Sequence, residues 1–368
     1  MNAVELTREL VKIDTIIPAS PERPCAERVG KLLEDAGFAV SRHEFAPGRT
    51  SVVARRAGAD ALCLAGHIDT VPLGAAKWKH DPFGGELSAG LLYGRGSSDM
   101  KSGVAAMVAA ALDLARMPLR KGLVLVIVAG EETGCEGAAH LARTSGALGT
   151  AGAMIVGEPT GNVPVVGHKG ALWLRAVTRG VTAHGSMPEK GVNAVVKAAR
   201  AVLALAAWKF DVAPDPLLGH PTLNVGTFQG GLNVNSVPDQ AVIGVDIRTI
   251  PAQRHAELRK RLQDALGGDV EIEPIVDLEG IRTAEDHPFV QSTIDAVAQV
   301  TGERPKPGTA TYFTDASVLT PAYGGIPTVV LGPGEMALCH QTDEHCRVER
   351  VEQAVEIYSR IARAWCEA

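Results

Sequence analysis

Leu123-Val-Leu-Val-Ile-Val-Ala-Gly-Glu-Glu132 is the stretch on which the reading of this chain turns. Leu123–Ala129 is wholly apolar and of strand length. A half-exposed strand would alternate, whereas a run with no polar member is buried on both faces, as in a parallel sheet covered by helices. Two adjacent carboxylates, Glu131 and Glu132, follow it directly. The same pattern repeats on either side. Ala61–Ala65 is a short apolar run leading to His67 and Asp69, and Ala153–Val156 is another leading to Glu158. Between them Met100–Arg116 is rich in alanine, which favours helix, and Pro118 follows its end. Glu27–Ala36 has helical periodicity and stops at Gly37, a residue suited to a helix end. Strands alternating with helices predict an α/β domain with a mostly parallel sheet.

From Gly170 the texture changes. Ala171–Arg179 alternates, Thr222–Phe228, Ala241–Arg248 and Val270–Val276 look strand-like, and Val192–Ala207 and His255–Leu266 look helical. Alternating strands with two helices predict a small α+β domain with a half-exposed antiparallel sheet. The first texture then returns, with a helix at Pro288–Val300, an apolar strand at Thr328–Leu331 and a helix at Val351–Trp365. The economical reading is a catalytic domain formed by residues 1–168 and 284–368, split by an inserted domain at 169–283.

The 368 residues suit about two domains at roughly 150 residues each, enough to bury a core without disulfides. Lys and Arg number 36 against 42 Asp and Glu, a net −6, so the basic footprint of a nucleic-acid binder is missing. Aromatics make up 4%, too few for a base-stacking platform. No run of apolar residues is long enough to span a membrane, and Met1–Val11, with Glu5, Arg8 and Glu9, reads as a helix rather than a signal peptide. Cys25, Cys63, Cys135, Cys339, Cys346 and Cys366 are scattered without a CxxC, which fits free thiols in a reducing cytoplasm.

The chemistry lies in position. Ligands of open parallel sheets bind outside the carboxyl ends of the strands. His67 and Asp69, Glu131 and Glu132, and Glu158 each follow an apolar strand, His340 follows a fourth after a short loop, and Asp99 precedes a helix. Brought to one rim, these groups would repel one another unless a cation joined them. Imidazole with carboxylate suits zinc, cobalt or manganese. Two histidines with three or four of these carboxylates make at least five donors, more than one tetrahedral zinc needs, and two ions sharing a carboxylate would use five. Hydrolysis is the expected chemistry, with a further carboxylate taking the proton of an activated water. His43, His80, His140, His220, His255 and His287 stand alone and read as surface or structural residues. Cys135 and Cys339 flank the acidic residues and read as small buried filler, with thiolate ligation the alternative. Gly94-Arg-Gly96 opens a GxGxxG, but Asp99 occupies the last glycine position, and GxSxG, HExxH and Walker patterns are absent.

Ala65-Gly-His-Ile-Asp-Thr-Val-Pro72, Tyr93-Gly-Arg-Gly-Ser-Ser-Asp-Met-Lys-Ser-Gly103, Gly130-Glu-Glu-Thr-Gly134, Gly157-Glu-Pro-Thr160 and Cys339-His-Gln-Thr-Asp-Glu344 occur in this order. The series resembles the di-zinc amidohydrolase family of acetylornithine deacetylase, succinyl-diaminopimelate desuccinylase and glutamate carboxypeptidase over nearly the whole chain. The resemblance implies His67, Asp99 and Glu158 as ligands of one ion and Asp99, Glu132 and His340 as ligands of the other, most readily zinc, with cobalt as a substitute. It makes Asp69 the carboxylate that orients His67 and Glu131 the general base. It implies a cis peptide at Asp99–Met100. In the inserted domain, Thr182-Ala-His-Gly-Ser186 resembles the segment whose imidazole stabilises the oxyanion, giving that role to His184. Asn233-Val-Asn-Ser-Val-Pro238 makes Asn235 a substrate contact, and Asp246-Ile-Arg248 makes Arg248 the holder of the substrate α-carboxylate.

Gly167-His-Lys-Gly170 looks closer to acetylornithine deacetylase, while Gly185-Ser-Met-Pro-Glu-Lys-Gly-Val-Asn193 looks closer to the carboxypeptidase and general acylase branches. The expected activity is hydrolysis of an N-acyl-L-amino acid, and the alternative is a carboxypeptidase acting on dipeptides or acyl-glutamate conjugates. A non-catalytic binding descendant would not keep Glu131 beside a full ligand set. Relatives in this family are often dimers that share the lid histidine, so a homodimer joined through 169–283 is expected, with neither nucleic acid nor membrane as partner.

Overall fold

In a computed structural model of the chain, residues 2–56 and 58–367 are described. They form two compact units, one of Met1–Gly167, Arg282–Thr309 and Thr314–Ala368, the other of His168–Ile281 and Ala310–Phe313.

The first unit is built on a mixed sheet. Leu123–Val128, Ala61–His67, Ala151–Val156 and Thr328–Val330 lie side by side in that order and run parallel. Every residue of Leu123–Val128 and Ala61–His67 is buried, as their apolar composition requires. Burying each such aliphatic side chain stabilises the fold by about 1.5–3 kcal/mol. Register puts the strand ends together: His67 lies opposite Val128, and Ala65 opposite Val156. The residues that leave these strands, His67 to Asp69, Gly130 to Glu132 and Gly157 to Glu158, therefore emerge on one rim. Ser102–Leu114 and Val348–Glu367 pack together as covering helices. At Gly103 the helix meets the Gly157 carbonyl so closely that no Cβ would fit.

Three local features differ from the sequence reading. Arg49–Arg56 extends the sheet antiparallel to Leu123–Val128 and pairs with Ala39–Ala46 as a hairpin, where no strand was expected. The second helix runs Arg23–Asp35, earlier than Glu27, because Pro24 sits well in its first turn. The alanine-rich helix begins at Ser102 rather than Met100, because Asp99 and Met100 have non-helical backbone. The first helix spans Ala3–Val11, and Met1, placed in it by sequence, lies outside the described residues.

The second unit is a four-stranded antiparallel sheet in the order Thr222–Gly230, Gln240–Thr249, Gly170–Arg179, Val270–Leu278. Side chains alternate across its faces. Leu172, Leu174, Ile243, Val245 and Ile247 face the helices Ala194–Ala206 and His255–Leu266 and form a core with Leu258 and Leu262. Trp173, Asp246 and Arg248 alternate with these core residues and take the other face.

Candidate metal centre

His67 closes its strand fully buried. Its Nδ1–H donates to the Asp69 carbonyl oxygen at 3.1 Å, which leaves the Nε2 lone pair free when the ring is neutral. Nε2 lies 3.1 Å from Asp99 Oδ1 and 3.7 Å from Glu158 Oε2. Asp69 is buried, and its carboxylate works mainly on backbone. Oδ1 accepts from Glu131 N at 3.1 Å and Oδ2 from Glu132 N at 3.0 Å, while His67 Nδ1 is 3.6 Å from Oδ1.

Asp99 stands in the turn Ser97–Lys101, and its peptide bond to Met100 is cis, as expected. Its two oxygens face different imidazoles: Oδ1 faces His67, and Oδ2 lies 3.4 Å from His340 Nε2. His340 Nε2 is also 3.1 Å from Glu132 Oε1. Two groups result, His67–Asp99–Glu158 and Asp99–Glu132–His340, each with donor atoms within 4.8 Å of one another. Asp99 is common to both. Glu131 belongs to neither; it is buried, with Oε1 4.0 Å from the Cys135 Sγ.

The charges show what the cluster needs. Burial works against a proton on His67, yet Glu158, Asp69 and Asp99 outweigh it and hold the ring well above its ordinary value. Hydrogen bonds to Asp99 and Glu132 push His340 up to about 10. Burial would raise Asp99, but His340 and His67 hold it below the usual carboxylate range. Burial, with Asp99 and Glu132 adding to it, pushes Glu158 up to about 7. Burial also raises Glu131, helped by Glu158, and raises Glu132, helped by Asp99. Among the described residues, the ion pairs of these carboxylates are all with His67 or His340. The acids of the cluster thus favour positive charge at both imidazoles. A pair of divalent ions would supply that charge and free both Nε2 atoms, so this set of nitrogen and oxygen donors fits two such ions.

The remaining residues expected from sequence lie in the second unit. His184 is exposed, with Nδ1 2.8 Å from Ser186 Oγ. Its segment is zipped to the one bearing Asn235: Gly185 N donates to the Asn235 carbonyl at 2.7 Å and Val237 N to Ala183 at 2.8 Å. Arg248 is held by Asp246, Nε to Oδ1 at 2.9 Å, and stands 5.7 Å from the Trp173 ring centroid.

Sequence reasoning missed Asp315. It is fully buried before the helix Ala316–Ala322, its side chain makes no capping hydrogen bond, and its carboxyl lies beside the Cys135 thiol with no nitrogen or oxygen partner among the described residues. Burial pushes its carboxyl up to about 8. An aspartate preceding a helix reads as an ordinary cap, so nothing local marked it out. The partnership of Arg95 with Glu344, at 2.6 Å, also escaped notice, because residues so far apart in the chain carry no joint signal.

This fold and donor set define an α/β metallohydrolase, and comparison with known proteins places the chain among its relatives. The family model described as peptidase family M20/M25/M40 matches residues 63–364, and the chain belongs to that family of metallopeptidases and amidohydrolases. It is 30% identical to an acetylornithine deacetylase of Vibrio atlanticus over 99% of this chain and 98% of that protein. It is 32% identical to one of Myxococcus xanthus, covering 97% and 96%. Among solved structures, an M20 family metallo-carboxypeptidase from Sulfolobus solfataricus shares the fold with a TM-score of 0.83 at 18% identity over 100% of both chains. A tripeptidase from Staphylococcus aureus does so with a TM-score of 0.77 at 22% identity, covering 100% and 98%. No helix among the described residues is long and apolar enough to cross a membrane.

Proposed function

We propose that this enzyme hydrolyses the amide bond of an N-acyl-L-amino acid, in the manner of acetylornithine deacetylase, releasing a carboxylate and a free amino acid. The observation that carries the reading is the pair of donor groups sharing Asp99, with Glu131 just outside both. Curated relatives matching at 30% over nearly the whole chain favour deacylation over peptide cleavage. His67, Asp99 and Glu158 would hold one divalent ion and Asp99, Glu132 and His340 the other, with zinc first and cobalt second. When bound, the ions would polarise the scissile carbonyl and acidify a water.

The chain's own residues do the rest. Asp69 fixes the backbone of Glu131 and Glu132 through two N–H groups. Glu131 takes the proton of the attacking water on its carboxylate and hands it to the leaving amine. His184 donates to the developing oxyanion, Arg248 holds the substrate carboxylate and Asn235 contacts the substrate. Leu232 and Val234, beside Asn235, are 97% and 104% exposed, which suits burial against a second copy. The enzyme then works as a homodimer joined through 169–283, with His184 and Asn235 serving the partner's site. Six free cysteines suit the reducing cytoplasm.

The test is a panel of N-acetyl-amino acids, N-succinyl-amino acids and dipeptides, assayed for free amino acid with zinc or cobalt and with a chelator. Metal-dependent release from N-acetyl substrates is expected. Release from dipeptides alone would make it a carboxypeptidase, and no release from any member by protein carrying two ions would overturn the reading.

A further inference from the structure

We propose that the buried Arg95–Glu344 pair positions the metal centre, by clamping the turn that carries Asp99 to the loop that carries His340. The inference rests on the two-ion reading above. Neither residue belongs to either donor group, and both side chains are almost wholly buried.

Glu344 precedes the strand His345–Arg347, which pairs with Leu91–Tyr93. Gly94 N donates to the Glu344 carbonyl at 2.9 Å and continues the pairing by one residue. The Glu344 side chain then fills the turn that follows. Oε2 accepts from Arg95 Nη1 at 2.6 Å and Gly96 N at 3.1 Å. Oε1 accepts from Ser98 N at 2.8 Å and Asp99 N at 3.0 Å. A carboxylate has about four acceptor positions, and here all are used. The chain wraps round it because Gly96 takes φ +83°, a left-handed conformation that glycine reaches freely.

Arg95 extends the clamp to one further loop and ties it a second time to the loop bearing His340. It donates to the Pro72 carbonyl at 3.1 Å, in the loop leaving the His67 strand, and to the Gln341 carbonyl at 3.4 Å, next to His340. Its guanidinium stands 5.2 Å from the Trp78 ring centroid. One ion pair thus touches the loops bearing His67, Asp99 and His340. A metal site holds its affinity only while its donors stay within about 0.5 Å of their places. Because Asp99 belongs to both groups, a slack Asp99 turn weakens both ions together.

The experiment is Glu344→Gln in the full chain. The amide can accept from one side of the turn only; its nitrogen then meets N–H donors on the other. Zinc and cobalt affinities are measured by competition with a chromophoric chelator, and circular dichroism and thermal unfolding of the metal-free protein report the fold. Affinity for both ions is expected to fall about 10–100-fold, the usual effect of losing a residue that orients ligands, while the metal-free fold persists. In an Asp99→Asn background the same change should cost less than about threefold, because the Glu344 carboxylate holds the Asp99 backbone directly while Arg95 keeps its contacts to the other two loops, whereas a merely structural role would cost as much in either background. A folded Glu344→Gln that binds both ions like wild type overturns the proposal, as does an undiminished further loss on top of Asp99→Asn. Should Glu344→Gln not fold, Arg95→Lys decides in the same titration. It keeps a positive charge but loses the fork to Pro72 and Gln341, and unchanged affinity there overturns the clamp. A wild-type chain that binds no divalent ion overturns the two-ion reading itself, a different failure from a variant that binds as wild type does.

Discussion

Exchanging Glu131 or Glu132 for glutamine separates two roles that stand one residue apart. Glu132 Oε1 is 3.1 Å from His340 Nε2 and belongs to a donor group, whereas Glu131 belongs to none and faces Cys135. On the proposed reading, Glu131→Gln removes the proton acceptor and leaves both donor groups intact. Loss of a general base costs about 10²–10⁴ in turnover, or about 3–5 kcal/mol in the barrier. Both ions should remain. The metal-free variant should be no less stable than wild type at neutral pH. Burial raises the Glu131 pKa, so the folded state holds a proton that the unfolded state gives up, and the carboxyl costs stability as pH rises above its unfolded value. Glutamine lifts that cost. Glu132→Gln instead weakens one charge-assisted contact, worth about 1.5–3 kcal/mol, so one ion should bind about 10–150-fold less tightly. Metal content after gel filtration should drop from two ions towards one, and excess zinc should restore part of the turnover. Excess zinc should do nothing for Glu131→Gln. Loss of metal from Glu131→Gln with full metal in Glu132→Gln would refute the assignment.

Asp69→Asn leaves one oxygen for two backbone N–H donors, so chelator titration should show about 10–100-fold weaker metal binding, and wild-type affinity would sink the orienting role. Burial holds the His168 imidazole down to about 4 from an ordinary 6.5, so it gains its proton only on unfolding in that interval. Stability is therefore complete above about pH 6.5 and falls as pH drops towards about 4, by up to ~3 kcal/mol; His168→Gln should flatten this segment of a Tm-against-pH curve, and an unchanged slope would assign the titration elsewhere. Mixing Glu131→Ala with His184→Ala under subunit exchange should restore activity if the lid histidine serves the partner's site, and no recovery despite proven exchange would rule that out.

What could be read from sequence follows from what each element must hide. Leu123–Val128 announced itself because burial on both faces leaves no polar member, whereas Ala171–Arg179, read as an alternating strand, exposes only Arg175 and Arg179 and buries Ala176, Val177 and Thr178 in succession. The hairpin Ala39–Ala46 and Arg49–Arg56 gave no such sign. Its outer strand is only half-buried and carries Arg42, His43 and Glu44, so neither a solid run nor a clean alternation appears, although Pro47-Gly48 marks its turn. Polar partnerships were illegible for another reason. Arg95 and Glu344 are each visible as charged residues in glycine-rich or acidic segments, but their pairing depends on the strand register of Leu91–Tyr93 against His345–Arg347.

The division of labour proposed for Glu131 and Glu132 has its own backbone logic. Once the strand ends at Val128, the chain turns, and Asp69 takes both successive N–H groups on its two oxygens. From this turn the two side chains leave in different directions. One is directed to His340 and the open rim, the other inward to Cys135 and Asp315. The two adjacent carboxylates therefore stand in different surroundings. Those surroundings support the proposed assignment: the one touching an imidazole of a donor group suits a ligand, and the one buried among apolar and acidic neighbours, with its affinity for protons raised, suits a base.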